Sequence, residues 1–298
     1  MRILITGGTG FIGQALCKHL EQANHELLVV SRSPDRAREL LPAGTKTAAS
    51  ALDFLDDRPE AIINLAGESI AAGRWTERRK RKIIDSRIQA TQGAVELCAR
   101  QDPAPQVLVS ASAMGWYGDQ GDHEVTEDTP PNKEFAHQIC AVWEAEALKA
   151  RDHGTRVAIA RIGLVLDQGG GMLERVLPPF KMGVGGRLGD GRQYMPWIHR
   201  HDMVRILEFL LESEALTGPF NASAPKPVTN AEFSATLARR LSRPALLPAP
   251  AAALKLAFGE MSRLLLTGAD MRPARLLQAG FEFDYPTLDS ALAEILER

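Results

Sequence analysis

The sequence predicts an α/β fold, a doubly wound parallel sheet followed by a smaller α+β C-terminal lobe, and three observations carry that prediction. The first is the apolar run Arg2 to Thr6, which breaks at once into glycines and then into an amphipathic helical pattern. The second is the alternation of apolar runs with helical patterns through the first half, the order in which βαβ crossovers build a parallel sheet. The third is a change of texture from about residue 170, where Gly169 to Gly171, Pro178, Pro179 and the glycines between 183 and 191 shorten the elements.

The first thirteen residues read MRILITGGTGFIG. A G-x-G-x-x-G pattern starts at Gly8, directly after the strand and at the opening of the helix that carries Ala15, Leu16 and Leu20. Its glycines have separate tasks: one turns the chain, one leaves room for backbone N–H groups to approach a pyrophosphate, and Gly13 lets helix and strand pack closely. The helix N-terminus adds unpaired N–H groups and partial positive charge. In this context the pattern predicts a Rossmann-type dinucleotide site, with Gly7, Thr9, Gly10, Phe11, Ile12 and Gly13 against the cofactor.

Further strands are predicted at Glu26 to Val30, Ala61 to Leu65, Gln106 to Ser110 and Arg156 to Arg161, with helical patterns near 75–101 and 134–151 between them. Residues 1–164 are read as the dinucleotide-binding domain, joined by possible return segments from the second half. Residues 165–298 are read as the substrate lobe.

At the end of the second strand an NAD-type site calls for Asp or Glu to accept hydrogen bonds from the ribose hydroxyls. Ser31 and Arg32 stand there instead. A guanidinium fork beside a hydroxyl suits a 2′-phosphate, which favours NADP (NADPH) over NAD, with a surface arginine as the plain alternative.

Composition bounds the rest. The 298 residues are 45% hydrophobic and 24% charged, with net charge -2, so no global field draws the chain to nucleic acid or to an anionic membrane. No apolar run reaches the roughly 18 residues of a membrane span, and a cytoplasmic location is expected. Cys17, Cys98 and Cys140 are odd in number and lack CxxC spacing, which suggests neither a disulfide framework nor a zinc site. His199, His201 and Asp202 lack a third ligand pattern nearby, so no metal is expected and Asp202 is read as a helix cap. The basic run Arg78 to Lys82 fits a solvated helix face, with phosphate steering or a partner surface as alternatives. Arg74 and Trp75, just before it, are placed to close over the crevice.

Three stretches, TGGTGFIG (6–13), NLAG (64–67) and SASAMGWYGD (110–119), resemble an extended short-chain dehydrogenase/reductase of the nucleotide-sugar epimerase/dehydratase type. NLAGESI with Arg74-Trp75, SRIQAT (86–91), GRQYMPWIH (191–199) and GFEFDYPTLDSAL (280–292) are similar to one branch, the "epimerase family" proteins of the short-chain dehydrogenase 39U and YfcH-like type. The resemblance covers nearly the whole chain and implies a family-specific C-terminal extension at about 248–298. It also implies that Leu65, Ala66 and Gly67 line the cofactor, that Arg87 faces it, and that Val165 borders the nicotinamide. Ser112 matches the serine that holds the substrate carbonyl or hydroxyl, and Ser110 is expected on the other strand face.

The chain departs from that family at the catalytic dyad. Short-chain dehydrogenases generally use Tyr-x-x-x-Lys on one helix, the lysine lowering the tyrosine pKa. Four residues after Tyr117, Tyr194 and Tyr285 stand Gly121, Ile198 and Asp289. Aligned through Trp143-Glu144, the dyad positions fall near Ala136 and Cys140, the latter read as a packed helix cysteine. Tyr117, acting with Ser112, is then the first candidate proton donor, against aromatic packing under its loop; Glu68 is the second, against helix capping. Two functions follow from this reading. One is an NADP-dependent oxidoreductase or epimerase acting on a small carbonyl or sugar-nucleotide-like molecule. The other is an NADP(H)-binding redox sensor or interaction module without turnover. The residues do not set an oligomeric state.

Overall fold

The computed structural model describes residues 1–245 and 247–297; Leu246 and Arg298, both inside the expected substrate lobe, lie outside the described residues. The chain runs through β1 (Arg2–Thr6), α1 (Phe11–Gln22), β2 (Glu26–Val30), α2 (Pro34–Leu40), β3 (Lys46–Ala48), β4 (Ala61–Asn64), α3 (Glu77–Arg100) and β5 (Val107–Ala113). It continues with β6 (Glu124–Val125), α4 (Phe135–Leu148), β7 (Arg156–Ile162), β8 (Leu164–Leu166), α5 (Leu173–Lys181), β9 (Tyr194–Met195), β10 (Trp197–His199) and α6 (Arg200–Glu212). The remainder comprises β11 (Gly218–Ala222), β12 (Val228–Thr229), α7 (Asn230–Arg240), α8 (Ala251–Phe258), α9 (Arg263–Leu266), β13 (Asp270–Met271), α10 (Ala274–Gln278) and α11 (Leu288–Glu297).

Seven strands form one parallel sheet in the order β3-β2-β1-β4-β5-β7-β11. The strands read as near-continuous apolar runs because both faces are covered. Ile3, Ile5, Val29, Ile63, Val109 and Ala160 face α1 and α6, whereas Leu4, Leu28, Ile62, Leu108 and Ile159 face α3 and α4. The strand order reverses between β1 and β4, which opens a crevice at their carboxyl ends.

β3 has no counterpart in the expected strands: at three residues with an exposed lysine at its head, it carries no apolar run to read. The return from the second half is extensive. β11 closes the sheet beside β7, and Met203, Ile206, Leu207 and Leu210 of α6 pack on the α1 face. The remaining lobe has its own core of Leu173, Phe180, Trp197, Phe233, Leu288 and Leu292. The C-terminal segment then wraps back across the first half. Met261 and Phe258 pack with Trp75, Ile83 and Ile139, and β13 pairs with β6.

Candidate functional site

The turn after β1 is built for close approach. Gly7 adopts φ +72°, and a Cβ on it would lie 2.8 Å from the Leu65 carbonyl carbon, so only glycine lets this turn pass the end of β4. A Cβ on Gly13 would lie 2.7 Å from Gly8 Cα and overlap the Gly7 oxygen. Helix α1 is preceded by Gly10, which offers no side-chain cap, and has no acid in its first turn, which leaves its N-terminal field for an anion.

Beneath the turn lies a buried polar lattice. The Thr6 hydroxyl donates to Asn64 Oδ1 (2.7 Å) and accepts from the Ala66 amide (3.1 Å). Asn64 Nδ2 donates to Thr91 Oγ1 (2.8 Å) and Ser110 Oγ (3.0 Å), and Trp143 Nε1 also donates to Thr91 Oγ1 (3.1 Å). These bonds fix the ends of β1, β4 and β5 against α3 and α4. Thr6 and Asn64 were not foreseen as site residues; their place at strand ends within TGG and NLAG was the available signal.

The side walls carry charge. Arg32, just past β2, exposes 92% of its side chain and stands 3.9 Å from Glu68 Oε2. Glu68 is held by Arg79 at 3.0 Å and lies 3.5 Å from Lys82. The hydrogen bond from Arg79, then the nearby Lys82, keeps its carboxyl below the ordinary glutamate range despite an opposing desolvation effect. Three cations thus meet one carboxylate, an electropositive mouth suited to a phosphate and unsuited to a general acid. Of the basic run, Arg79 turns inward to this site, and Lys80 pairs with Glu260 at 2.7 Å. Arg87 stacks over Trp143, its Cζ 4.9 Å from the ring centroid, and donates to the Glu68 and Ile83 carbonyls. Its buried Nε has no hydrogen-bond partner, and Gly67 passes so close that a Cβ would lie 3.1 Å from Arg87 Cζ.

On the opposite wall, a Cβ on Gly170 would lie 2.5 Å from the Phe11 ring, and Arg200 covers that ring at 4.7 Å. Val165, in β8, is half-buried and packs against the main core. Ser31 accepts a hydrogen bond from the Ser33 amide (3.2 Å). The turn glycines, Phe11, Ser31, Arg32, Leu65 to Gly67 and Arg87 therefore gather around the carboxyl ends of β1, β2 and β4. The orphaned Arg87 Nε, the cradle a Cβ would fill and the uncapped helix fit a phosphorylated dinucleotide.

The two catalytic candidates are placed in one buried polar network. Tyr117 is fully buried; its hydroxyl donates to Asn221 Oδ1 (2.6 Å) and accepts from Arg161 Nη1 (3.1 Å), and burial pushes its pKa up to about 12. Ser112 donates to Glu144 Oε1 (2.6 Å), and Arg161 grips Glu144 through Nε and Nη2, both at 3.0 Å. Both hydroxyls are thus committed to a closed network of Arg161, Glu144, Asn221 and Glu127, whose Oε1 accepts from the Asn221 amide. Ser110 shares the face of Ser112, bonded to Asn64, because residues two apart on a strand point the same way.

The dyad positions hold packing groups. Ala136 abuts Gly115, where a Cβ would lie 3.2 Å away, and Cys140 points its thiol at the Ala113 carbonyl, 3.6 Å away. Burial pushes the Cys140 pKa up to about 11, so this thiol stays protonated near neutral pH. Asp202 does not cap α6, where His199 accepts from the His201 amide; it accepts the Asp284 and Tyr285 amides instead. His199 pairs with Glu294 and His201 with Asp284, both at 2.9 Å. Arg74 reaches across to the Ala257 and Leu256 carbonyls at the end of α8. A separate cavity of about 350 Å³ opens between Gly189-Asp190 and the C-terminal segment, lined by Lys255, Ser262, Arg263 and Leu266; it does not touch the glycine turn.

Comparison with known proteins agrees with this geometry. The chain is 40% identical over 294 residues to the epimerase family protein MT2273 of Mycobacterium tuberculosis, covering 97% of this chain and 96% of that protein. It is 37% identical over 300 residues to human SDR39U1, covering 99% and 100%. The crystal structure of human SDR39U1 (isoform 2) with NADPH superposes with a TM-score of 0.91 at 35% identity over the whole of both chains. No helix among the described residues is long and apolar enough to cross a membrane. A domain of unknown function, DUF1731, matches residues 249–295, the segment that wraps back over the first half. The model of the NAD dependent epimerase/dehydratase family matches residues 3–222, from the first strand to the last strand of the sheet, and the chain belongs to that family.

Proposed function

We propose that this protein binds NADP(H) across the carboxyl edge of its sheet and carries no resident general acid beside it. The observation that carries the first half is Arg32, an exposed guanidinium at the end of β2 where an NAD site would place a carboxylate. NADPH in the crystal structure of the human relative supports the same reading. The pyrophosphate would meet the start of α1 between Gly10 and Gly13, the 2′-phosphate would meet Arg32 and Ser31, and Leu65 to Gly67 would border the ribose. When bound, the cofactor supplies hydride chemistry.

The second half rests on the closed network around Tyr117 and Ser112. With both hydroxyls committed, with Ala136 and Cys140 at the dyad positions and Glu68 held ionised, no side chain among these is ready to move a proton. This favours an NADP(H)-binding redox sensor or interaction module. The catalytic reading, an oxidoreductase or epimerase acting on a small carbonyl or sugar-nucleotide-like molecule, draws on family membership and on the cavity beside Arg263. Free, buried Cys17, Cys98 and Cys140 fit a reducing, cytoplasmic setting.

NADPH fluorescence separates the two readings. Saturable binding, with no NADPH oxidation across a panel of aldehydes, ketones and nucleotide sugars, is the expected result. Turnover that survives in Tyr117→Phe would establish an enzyme with another proton source, and absence of NADPH binding would end both readings.

A further inference from the structure

At the end of α1 remote from the glycine turn, four side chains of the metal-ligating kind converge. Helices α1 and α6 run side by side in the same direction. Arg200 at the start of α6 covers Phe11 at the start of α1, and His19 Nε2 near the end of α1 meets Glu208 Oε2 in α6 at 2.7 Å. His25 is brought to the same spot by the way α1 stops. Asn24 takes the left-handed conformation (φ 61°), its amide donates to the Glu21 carbonyl and the His25 amide to the Leu20 carbonyl. This pair of bonds is a Schellman cap, which fixes the residue after the turn. Glu208 and Glu212, four apart, lie on one face of the last turns of α6.

We propose that His25, Glu208 and Glu212, with His19 as fourth donor, form a binding site for Zn²⁺. A ligand atom from each of His25, Glu208 and Glu212 lies within 4.8 Å of the other two. A tetrahedral Zn²⁺ with bonds of about 2.1 Å holds its donors about 3.4 Å apart, so rotation of side chains closes the site without moving the backbone. Two imidazoles and two carboxylates are a donor set that suits Zn²⁺. His25 and Glu208 are half-buried while Glu212 is exposed, which leaves an entry path.

The electrostatics point the same way. Both helices end here, so their carbonyl ends add partial negative charge, and α6 has no basic residue in its last turn to offset it. The Glu212 carboxylate makes no hydrogen bond or ion pair among the described residues and faces His25 and Glu208. The Met1 ammonium, 3.3 Å from His25 Nδ1, is an opposing positive charge that a bound ion would displace. A bound ion would clamp the far ends of the two helices whose near ends flank the glycine turn. The site is spatially separate from the cleft, so it stands whether or not NADP(H) binds.

The test is calorimetric titration of Zn²⁺ into the full, tag-free chain after EDTA treatment and dialysis, with a parallel Co²⁺ spectrum. The expected result is one ion per chain, a rise in Tm with Zn²⁺, and a four-coordinate Co²⁺ spectrum without thiolate charge-transfer bands. The variant His25→Ala/Glu212→Gln changes one half-buried and one exposed side chain and is expected to bind at least tenfold more weakly with an unchanged fold by circular dichroism. His123→Ala, at an exposed histidine elsewhere, is expected to bind as the parent does. Absence of stoichiometric binding, binding that survives the double variant, or a thiolate band showing capture by the cysteines would each overturn the proposal.

Discussion

Arg32 and Glu68 face each other across the mouth of the cleft, Nη1 3.9 Å from Oε2, and only the arginine is turned to solvent. Glu68 is already gripped by Arg79 at 3.0 Å, so the weak pairing leaves the Arg32 fork open to a second anion. A surface ion pair of this length contributes little, while a bidentate contact to phosphate is charge-assisted and stronger. This makes Arg32 the side chain on which discrimination between the two nicotinamide cofactors turns.

Two glycine substitutions are expected to have opposite signs. In Gly13→Ala the new Cβ meets the backbone of the glycine turn, 2.7 Å from Gly8 Cα, so the turn must shift. The expected cost is about 1–3 kcal/mol of stability, with at least a tenfold loss of NADPH affinity. Gly93→Ala, inside α3 with its nearest neighbour 3.9 Å away, is expected to stabilise by about 0.5–1 kcal/mol. Urea unfolding of both variants, with NADPH titration of each, checks the pair.

Tyr117→Phe is expected to behave as a core lesion. It removes the donor to Asn221 Oδ1 and one acceptor for Arg161, leaving buried polar atoms short of partners at about 1–3 kcal/mol. Stability in urea should fall while the NADPH dissociation constant stays within twofold. A variant as stable as the parent but altered in turnover would return Tyr117 to the chemistry.

Acid is expected to weaken the protein partly through His199, which is 1% exposed and stacked on Tyr285 at 4.0 Å. Burial lowers its pKa against the opposing pull of Glu294, Asp167 and Asp202. A histidine kept neutral in the fold contributes stability above its unfolded value of about 6.5, and that stability is lost as pH falls through 6.5 toward the lower folded value. The carboxyl of Glu68, lowered in the fold, also loses its contribution in acid, but further down, as pH falls through the ordinary glutamate value toward the lower folded one. Stability measured from pH 7.5 to 5.5 should therefore decline in the parent and decline less in His199→Gln.

The glycine turn and Arg32 were legible in the sequence because their chemistry is local: strand, turn and helix are adjacent, and the position just past β2 follows at a known distance. The surroundings of the catalytic candidates were not, because their partners are remote in sequence. Ser112 and Tyr117 sit in the segment expected to border a substrate, yet their partners Glu144, Arg161, Asn221 and Glu127 come from α4, β7, β11 and the loop after β6. Only the fold shows the hydroxyls already spent. The His25, Glu208 and Glu212 cluster was invisible for the same reason, its members being joined by helix packing alone. The return of α6 and β11 to the sheet was legible only as a possibility, since the short element Gly218–Ala222 begins with Gly-Pro and reads as a turn.

The most direct measurement is calorimetric titration of the full chain with NADPH and with NADH, repeated in Arg32→Ala. NADPH should bind at least tenfold more tightly than NADH in the parent, and the mutant should lose most of that difference by weakening NADPH alone, a loss of about 1.5–3 kcal/mol for a hydrogen bond to a charged group. Equal affinities for the two cofactors in the parent, or discrimination unchanged in the mutant, would contradict a 2′-phosphate held by Arg32.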